Sequence, residues 1–437
     1  MPKMKDSGIK WIGAVPKDWN TEAIRYLISE HFTGSWGNDE RNDWNDRICM
    51  RIADFDFDKM QFKDLGKDKF TVRNYSNSDI FKKSLKVGDL LIEKSGGGEK
   101  TPVGRTVVFR FTFPALFANF MDCIRLKDKY NVEFAKYVFY SLYNRGITNF
   151  YFNQTTGLQN LNMPRYFREV KLPVPLLQEQ CNIADYLDSK CNVINTLYAD
   201  IEKQIDLLEQ YKKSVITEAV TKGLEPNVEM KDSGIEWIGE IPKTWNVAPI
   251  YSFFGERRNR NYDLQEQNLL SLSYGKIVRK DINTVGGLLP ASFNTYNVVE
   301  AGDIIIRPTD LQNDKRSLRT GLVTEHGIIT SAYIDLKPEK DVNSRYFHYL
   351  LHTYDVLKVF YNMGNGVRQG LNYSEFAKLK VFAPSVGEQQ QIADYLDAKC
   401  DEIDSAIAEK KKQLETLEAY KKSLIYEYVT GKKEVSV

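Results

Sequence analysis

The sequence predicts a mixed α/β fold (α+β) in which two globular segments are joined by two long antiparallel helices that form a coiled coil. Three observations support this. Two 43-residue stretches without proline or glycine resemble each other, a tryptophan-containing motif occurs twice, and the intervening segments share their order of turns and strands. Because motif, globular segment and long helix follow one another twice, we expect an internal pseudo-two-fold repeat.

The tryptophan motif opens each repeat, at residues 4–20 and 230–246. Thirteen of its seventeen positions are identical. Its large apolar side chains predict a structural role, because the motif stays nearly constant between segments that otherwise differ. Stacking of the tryptophans on bases is the alternative. The predicted anchors are Trp11, Ile12, Trp19, Trp237, Ile238 and Trp245.

The globular segments, about 21–176 and 247–386, share five elements in the same order. Glycine and proline punctuate them, and apolar runs indicate buried strands. The pairs are a turn with a strand (87–92 and 301–306), a second strand (104–108 and 320–323), a helix (132–143 and 344–360), a glycine-containing turn (155–160 and 364–369), and a strand ending in proline (170–175 and 379–384).

The long helices are predicted at 179–221 and 388–430. At 1.5 Å per residue each would extend roughly 65 Å, and apolar residues recur with heptad spacing. Ser385 and Glu388 predict a capping box for the second helix. The alternative is that each helix packs only on its own globular segment. The predicted seam consists of Leu187, Cys191, Ile194, Tyr198, Ile201, Ile205, Leu208, Val215, Leu396, Cys400, Ile403, Ile407, Leu414, Leu417 and Leu424, with Lys212 and Lys421 at equivalent positions in it.

The helices are expected to be antiparallel. The sequence between the first helix and the second tryptophan motif would be recreated if the C-terminus were joined to the N-terminus. The end of the second helix should therefore lie beside the start of the first globular segment.

Composition points to a protein without a membrane span or secretion signal, which we expect to be cytoplasmic. Five cysteines lack metal-site spacing, and His348 and His352, four residues apart, have no accompanying HExxH glutamate. Residues 1–176 carry a net charge of +7, residues 224–386 carry none, and each helical segment carries −3. If nucleic acid binds, the globular segments must therefore hold it.

Polar loops follow the strand at 87–92 and its counterpart at 301–306, each of which we call the Gly-Asp strand because those two residues precede it. They occupy equivalent positions but differ in side chains, as recognition of two different short sequences would require. Ordinary solvated loops are the alternative. The candidate DNA-binding residues here and in three nearby polar clusters are Lys94, Ser95, Lys100, Arg105, Asn153, Gln154, Arg257, Arg258, Arg307, Thr309, Asp310, Gln312, Asn313, Lys315, Arg316, Arg319, Arg368 and Gln369.

Catalytic motifs are not found in the sequence. The glycine-rich run at 95–101 lacks the GxxxxGK[ST] spacing of a phosphate-binding loop, and no GxSxG or methyltransferase NPPY-like tetrad occurs. We therefore predict no catalytic residue and no metal site.

The doubled GI-WIG--P--W motif, the EQ--IADYLD helix start and the YKKS-I--VT helix end resemble the specificity subunit of Type I restriction–modification enzymes. The resemblance implies target recognition domains at 1–176 and 224–386, and conserved spacer helices at 177–223 and 387–433. Each recognition domain would read one half of a bipartite double-stranded DNA target, and the helices would set the spacing of the half-sites.

The same resemblance implies a non-catalytic subunit that works in a complex. Two methyltransferase subunits would dock on it, and restriction subunits would join the full assembly. It implies no cofactor in this chain, with S-adenosylmethionine, ATP and magnesium in the partner subunits. A coiled-coil scaffold without DNA specificity and a single-chain enzyme with a divergent site are the alternatives.

Overall fold

The computed structural model describes residues 3–155, 157–283, 290, 292–309, 311, 318–339, 342–363 and 370–435. The chain divides into two compact units. Unit 1 comprises Met1–Glu202 and Lys412–Val437, and unit 2 comprises Lys203–Lys411. Each unit contains one globular segment and part of both long helices.

The strands of unit 1 are β1 (Met4–Ile9), β2 (Gly13–Pro16), β3 (Asn20–Ala23), β4 (Ile28–Thr33), β5 (Asp46–Met50), β6 (Phe55–Asp56), β7 (Gln61–Phe62), β8 (Val72–Asn74), β9 (Leu90–Glu93), β10 (Ser95–Gly96), β11 (Thr106–Val108), β12 (Ala115–Phe117), β13 (Met121–Leu126), β14 (Phe152–Thr155), β15 (Leu158–Leu161) and β16 (Lys171–Val174). Its helices are α1 (Ile24–Leu27), α2 (Asn77–Lys83), α3 (Val132–Asn144), α4 (Met163–Glu169) and the start of α5 (Leu177–Lys222).

The strands of unit 2 are β17 (Met230–Asp232), β18 (Glu240–Pro242), β19 (Asn246–Pro249), β20 (Phe254–Glu256), β21 (Leu270–Ser273), β22 (Lys276–Arg279), β23 (Asn297–Val299), β24 (Ile304–Ile306), β25 (Thr320–Leu322), β26 (Gly327–Ile329), β27 (Ile334–Pro338) and β28 (Lys380–Ala383). Its helices are α6 (Ser344–Val356), α7 (Tyr373–Phe376) and the start of α8 (Val386–Val429).

Each globular segment is built on a mainly antiparallel sheet. The order is β4-β13-β9-β11-β7-β6 in unit 1 and β20-β27-β24-β25 in unit 2. Successive residues of the Gly-Asp strand point to opposite faces of the sheet. Leu90 and Ile92 belong to the core that also includes α3, whereas Leu91 belongs to a second core on the other face. The near-continuous apolar run in this strand therefore reflects burial on both faces.

The predicted C-terminal end of the helix at 344–360 is wrong. Helix α6 stops at Val356, Lys358 adopts a left-handed conformation (φ 61°), and a 3₁₀ turn, Val359–Asn362, follows. Unit 1 makes the same corner with Gly146 (φ 67°) after α3. The left-handed residue ends the α-helix in both units. A glycine at this position signals the helix end in the sequence, whereas a lysine does not.

The long helices pack antiparallel within each unit. In unit 1 the start of α5 shares a core with the end of α8, through residues such as Leu187 and Leu424. In unit 2 the end of α5 shares a core with the start of α8, through residues such as Val215 and Leu396. The seam side chains that are buried are Leu187, Cys191, Ile194, Ile205, Val215, Leu396, Cys400, Ile403, Ile407 and Leu424; Tyr198, Ile201, Leu208, Leu414 and Leu417 are half-buried.

The two seam lysines make equivalent polar contacts across the helix pair. In unit 1, Lys421 Nζ donates to Asn195 Oδ1 at 2.7 Å and to the Asp58 carbonyl at 2.6 Å. In unit 2, Lys212 Nζ pairs with Asp404 at 2.7 Å. Burial lowers the pKa of Lys421, which is only 5% exposed. A one-residue slip of either helix would separate these partners, so they favour a single register.

Each globular segment is fixed to the start of its long helix by the same side chains. Gln180 Oε1 accepts from the backbone N–H of Asn131 at 2.7 Å, and Gln389 Oε1 accepts from the backbone N–H of Asn343 at 2.9 Å. Because Asn131 and Asn343 cap α3 and α6, the glutamines tie those helices to the spacer helices.

The tryptophan motifs close over the ends of the long helices. Gly431 follows α8 with φ 69°, and a Cβ there would lie 2.4 Å from Pro16. Trp19 and Trp245 are nearly fully buried, but Trp237 is 37% exposed and contacts Tyr354 edge-on. Trp237 is therefore a weaker anchor than the sequence predicted.

The predicted capping box of α8 is only half formed. Ser385 Oγ accepts from the Glu388 amide at 3.3 Å, as a cap should. The Glu388 carboxylate instead accepts the Trp245 indole N–H at 2.9 Å. Glu388 therefore joins the helix start to the tryptophan motif.

Candidate nucleic-acid interface

The Gly-Asp turn before each central strand is held by a buried aspartate. In unit 1, Asp89 accepts from the Lys86 amide at 2.7 Å and from Arg125 Nε at 2.8 Å. In unit 2, Asp303 accepts from the Glu300 amide at 2.8 Å and from Arg257 Nε at 2.6 Å. The turn fixes where each central strand begins, and therefore where the polar loop leaves it.

In both units the start of the polar loop is hydrogen-bonded to the segment just before a short helix, α4 in unit 1 and α7 in unit 2. In unit 1 the Leu161 amide donates to the Lys94 carbonyl at 2.7 Å. In unit 2 the Leu371 amide donates to the Pro308 carbonyl at 3.0 Å. In unit 1 this bond brings together two polar clusters that are about 60 residues apart in sequence.

In unit 1 this meeting forms a three-stranded sheet of order β10-β15-β14, which we call the polar sheet. Ser95 Oγ donates to Asn160 Oδ1 at 2.6 Å, and the register pairs Asn153 with Asn160. Asn153, Gln154 and Asn160 are exposed, whereas Gln159 is buried and accepts from the Val103 amide at 3.1 Å. The polar sheet presents amide groups, which have both the donors and the acceptors that base edges require.

Sequence reasoning named Asn153, Gln154 and Ser95 but missed Asn160. Asn160 lies at the end of the predicted glycine-containing turn, which the structure shows to be a β-hairpin. The strand gives no period-two signal in sequence, because its apolar Leu158 is exposed and its polar Gln159 is buried.

Two candidates in unit 1 are engaged in ion pairs within the protein. Arg105 donates to Glu93 through Nε at 2.7 Å and through Nη2 at 3.0 Å. Lys94 Nζ lies 2.9 Å from Asp122 Oδ1. Burial alone would raise the pKa of Asp122, but hydrogen bonds from His31, Lys94 and Thr33 outweigh it and hold that pKa below its ordinary value. Lys100 is exposed.

Arg319 of unit 2 lies in the interior with no exposed surface. It donates to the Tyr361 hydroxyl at 3.1 Å and to the Thr309 carbonyl, and its guanidinium lies over the Tyr361 ring. Its backbone position is equivalent to that of Arg105. The backbone N–H of Arg307 donates to the Arg319 carbonyl at 2.8 Å, and the backbone N–H of Glu93 donates to the Arg105 carbonyl at 2.8 Å. Both arginines therefore brace the base of a loop, and Arg319 does not reach the surface.

The remaining candidates of unit 2 fall into two groups. Arg257 is bonded to Asp303, the exposed Arg258 pairs with Glu256 at 2.8 Å, and Arg307 and Thr309 are half-buried. The candidates that lie outside the described residues are Asp310, Gln312, Asn313, Lys315, Arg316, Arg368 and Gln369.

Three ionisable groups of unit 2, the buried Asp335 and the half-buried His348 and His352, have shifted pKa values. Burial lowers the pKa of His348 and of His352 to about 4, and burial together with the neighbouring Asp303 carboxylate raises the pKa of Asp335 to about 8. Within the described residues, no three histidine, cysteine, aspartate or glutamate side chains are grouped so as to hold a metal ion. A helix suited to crossing a bilayer is likewise not found in the described part of the chain.

Comparisons with known proteins agree on one family. A family model described as Type I restriction modification DNA specificity domain matches residues 56–207 and 321–416. The putative type I restriction enzyme MjaX specificity subunit of Methanocaldococcus jannaschii is 26% identical, covering 96% of this chain and 95% of the relative. The MjaVIII specificity subunit of the same organism is 27% identical, over 71% of this chain and 72% of the relative.

Solved structures show the same fold. A chain from a study of complex assembly and conformational transition of the type I R-M system aligns with a TM-score of 0.69 at 12% identity, covering 96% of this chain and 99% of that chain. The HsdS subunit from Thermoanaerobacter tengcongensis aligns with a TM-score of 0.50 at 12% identity, covering 96% and 98%. Since the family model covers more than half of the sequence, this chain belongs to the Type I restriction–modification DNA specificity family.

Proposed function

We propose that this chain is the non-catalytic, cytoplasmic specificity subunit of a Type I restriction–modification complex. Residues 1–176 and 224–386 each read one half of a bipartite double-stranded DNA target. The spacer helices at 177–223 and 387–433 set the distance between half-sites and dock two methyltransferase subunits. Restriction subunits join the full complex, and S-adenosylmethionine, ATP and magnesium are bound by the partner subunits.

The duplicated loop edge is the observation that supports this proposal most. Both units hold the start of the polar loop against a later segment of the same unit through an equivalent backbone hydrogen bond, yet the sequences of the two loops differ. Equivalent backbone positions that carry different side chains are suited to recognising two different DNA sequences. The second contact on one duplex is intramolecular, so two weak half-site affinities combine into one tight affinity.

The residues at the interface divide into contacts and supports. In unit 1 we assign DNA contact to Ser95, Asn153, Gln154 and Asn160, which belong to the polar sheet, and to Lys100, which is exposed in the loop after β10. Lys94, Arg105, Arg257 and Arg319 instead support the loops, because each is bonded to protein groups and at least half-buried. Exposed Arg258 and the polar loop of unit 2 supply the second contact surface.

The proposal is tested by methylation mapping with the complete methyltransferase complex. We expect methylated adenines only within one bipartite, asymmetric sequence, and none when either the specificity chain or the methyltransferase subunits are left out. Binding should weaken steeply as salt is raised, because phosphate contacts release counterions.

Two other outcomes would contradict the proposal. A coiled-coil scaffold would leave methylation unselective, with binding that does not depend on the DNA sequence. A divergent enzyme would methylate or cleave DNA as the isolated chain.

A further inference from the structure

Strands β21 and β22 form a two-stranded ribbon at residues 270–279, which we call the unit 2 ribbon. Its register pairs Leu270 with Arg279 and Ser273 with Lys276. The two-residue turn consists of Tyr274 (φ 48°) and Gly275 (φ 78°), and two positive φ angles are the signature of a type I′ hairpin turn. The ribbon therefore has a defined twist and a tight tip.

One face of the ribbon is seated on the central sheet of unit 2. Leu272 and Ile277 approach Gly321 of β25 so closely that a Cβ there would lie 2.6 Å from Leu272 Cδ1 and 2.9 Å from Ile277 Cδ1. The seat thus requires glycine at position 321. Because side chains alternate across a strand, Ser271, Ser273, Lys276 and Val278 point to the opposite face.

The tip of the ribbon lies beside Leu318, at the end of the polar loop of unit 2. A Cβ on Gly275 would lie 2.9 Å from Leu318, the residue before Arg319 at the end of that loop. Tyr274 is 88% exposed. The tip therefore extends the candidate edge with an aromatic group that the central sheet does not bury.

The charge of the ribbon is wholly positive. Residues 269–280 contain Lys276, Arg279 and Lys280 and no acidic residue. Arg279 pairs with Glu325, whereas Lys276 and Lys280 are exposed and make no ion pair with any residue that the structure describes. Hydroxyl and ammonium donors on an unpaired, positive face complement phosphates and base edges.

We propose that the unit 2 ribbon enters a groove of the DNA duplex and helps to read the half-site of unit 2. A two-stranded ribbon fits the major groove, which is about 12 Å wide. Ser273 and Lys276 face phosphates or base edges, and Tyr274 contacts a base at the tip. The inference rests on the proposed function and deepens it by adding a reading element that the sequence did not predict.

The test uses Tyr274→Ala and, separately, the double variant S273A/K276A, each in the complete methyltransferase complex. We expect each to weaken binding of the mapped target, Tyr274→Ala by about 5- to 150-fold, which corresponds to one lost base contact of about 1–3 kcal/mol. Methylation selectivity should relax in one half-site only. Tyr262→Ala is the matched control, because Tyr262 is 75% exposed in the same unit but lies outside the ribbon.

Thermal unfolding and subunit assembly should be unchanged in every variant, because these side chains are exposed or lie on the ribbon's outward face. Unchanged affinity and selectivity in both Tyr274→Ala and S273A/K276A would overturn the inference, as would relaxed selectivity in both half-sites. If the wild-type complex showed no preference for a bipartite sequence, the proposed function itself would fail. This result is distinguishable from failure of the ribbon inference, because it is seen in the wild-type complex without any variant.

Discussion

At the scale of single residues, the arginines show how one residue type serves two purposes. Arg258 is 73% exposed at its side chain, whereas Arg319 is completely buried among carbonyl and hydroxyl acceptors. Both were predicted to bind DNA for the same reason, because each is a basic residue in or near a polar segment of the sequence. Only the contacts separate a group that can reach DNA from one that supports the loop.

We therefore expect Arg319→Ala to destabilise unit 2, because the substitution removes a buried donor and leaves its acceptors unsatisfied. The loss should be roughly 1–3 kcal/mol, the cost of leaving buried polar groups without a partner. Arg258→Ala should change the free energy of unfolding by less than about 0.5 kcal/mol. Chemical denaturation of the full chain measures both; equal stability of the two variants would show that Arg319 does not brace the fold.

Asp335 gives a second residue-scale prediction. Its folded pKa of about 8 lies above the ordinary 3.8, so between these pH values the folded chain holds a proton that the unfolded chain releases. Stability should fall as pH rises through this range, by roughly 1.4 kcal/mol per pH unit for one proton. Asp335→Asn has no carboxyl group at this position, so this loss of stability with rising pH should be absent from the variant.

Thermal unfolding at pH 5 and pH 7.5 tests this sign. The melting temperature of Asp335→Asn relative to wild type should rise between the two pH values. His348 and His352, with folded pKa values of about 4, act in the opposite direction, because the unfolded chain binds their protons below pH 6.5; they are unchanged in both proteins and cancel in the comparison. A constant difference between the two proteins would contradict a buried, protonated Asp335.

At the scale of secondary-structure elements, the lysines of the helix seam determine register. The two contacts are equivalent, but Lys421 meets a neutral asparagine and Lys212 meets an aspartate. Lys421 also donates to the Asp58 carbonyl, so it joins the helix pair to the globular segment of unit 1.

A double-mutant cycle on Lys212 and Asp404 should give a small coupling. The pair is partly exposed, so we expect about 0.5–1 kcal/mol, reduced by added salt. Lys421→Met should change the free energy of unfolding in a different way, because it removes the donor of two part-buried hydrogen bonds while adding apolar area in the seam. Denaturant unfolding of the single and double variants gives the coupling energy; additive effects of the two substitutions would exclude a direct contribution of this ion pair.

The helix boundaries followed from sequence almost completely. Stretches predicted at 179–221 and 388–430 are helical from Leu177 to Lys222 and from Val386 to Val429. A long run without proline or glycine has only one favourable regular structure, so local propensity and heptad spacing sufficed. The end of α6 did not follow, because a left-handed lysine is set by the packing around it.

At the scale of the whole molecule, duplication predicts modular specificity. Replacing residues 21–176 by the equivalent segment of another family member should change one half of the methylated sequence and leave the other half intact. The physical reason is that each globular segment has its own cores and its own glutamine contact to a long helix. Methylation mapping of the chimera measures the result; a change in both halves would contradict modular reading.

The sequence by itself determined the repeat, the α/β class, the two long helices and their antiparallel direction. These depend on apolar periodicity, the absence of helix breakers and the matching of duplicated segments, all of which are local or directly comparable along the chain. The tertiary structure decided which polar side chains face solvent. Arg319 and Asn160 carry no distinguishing mark in sequence, because their exposure depends on residues far along the chain that pack beside them.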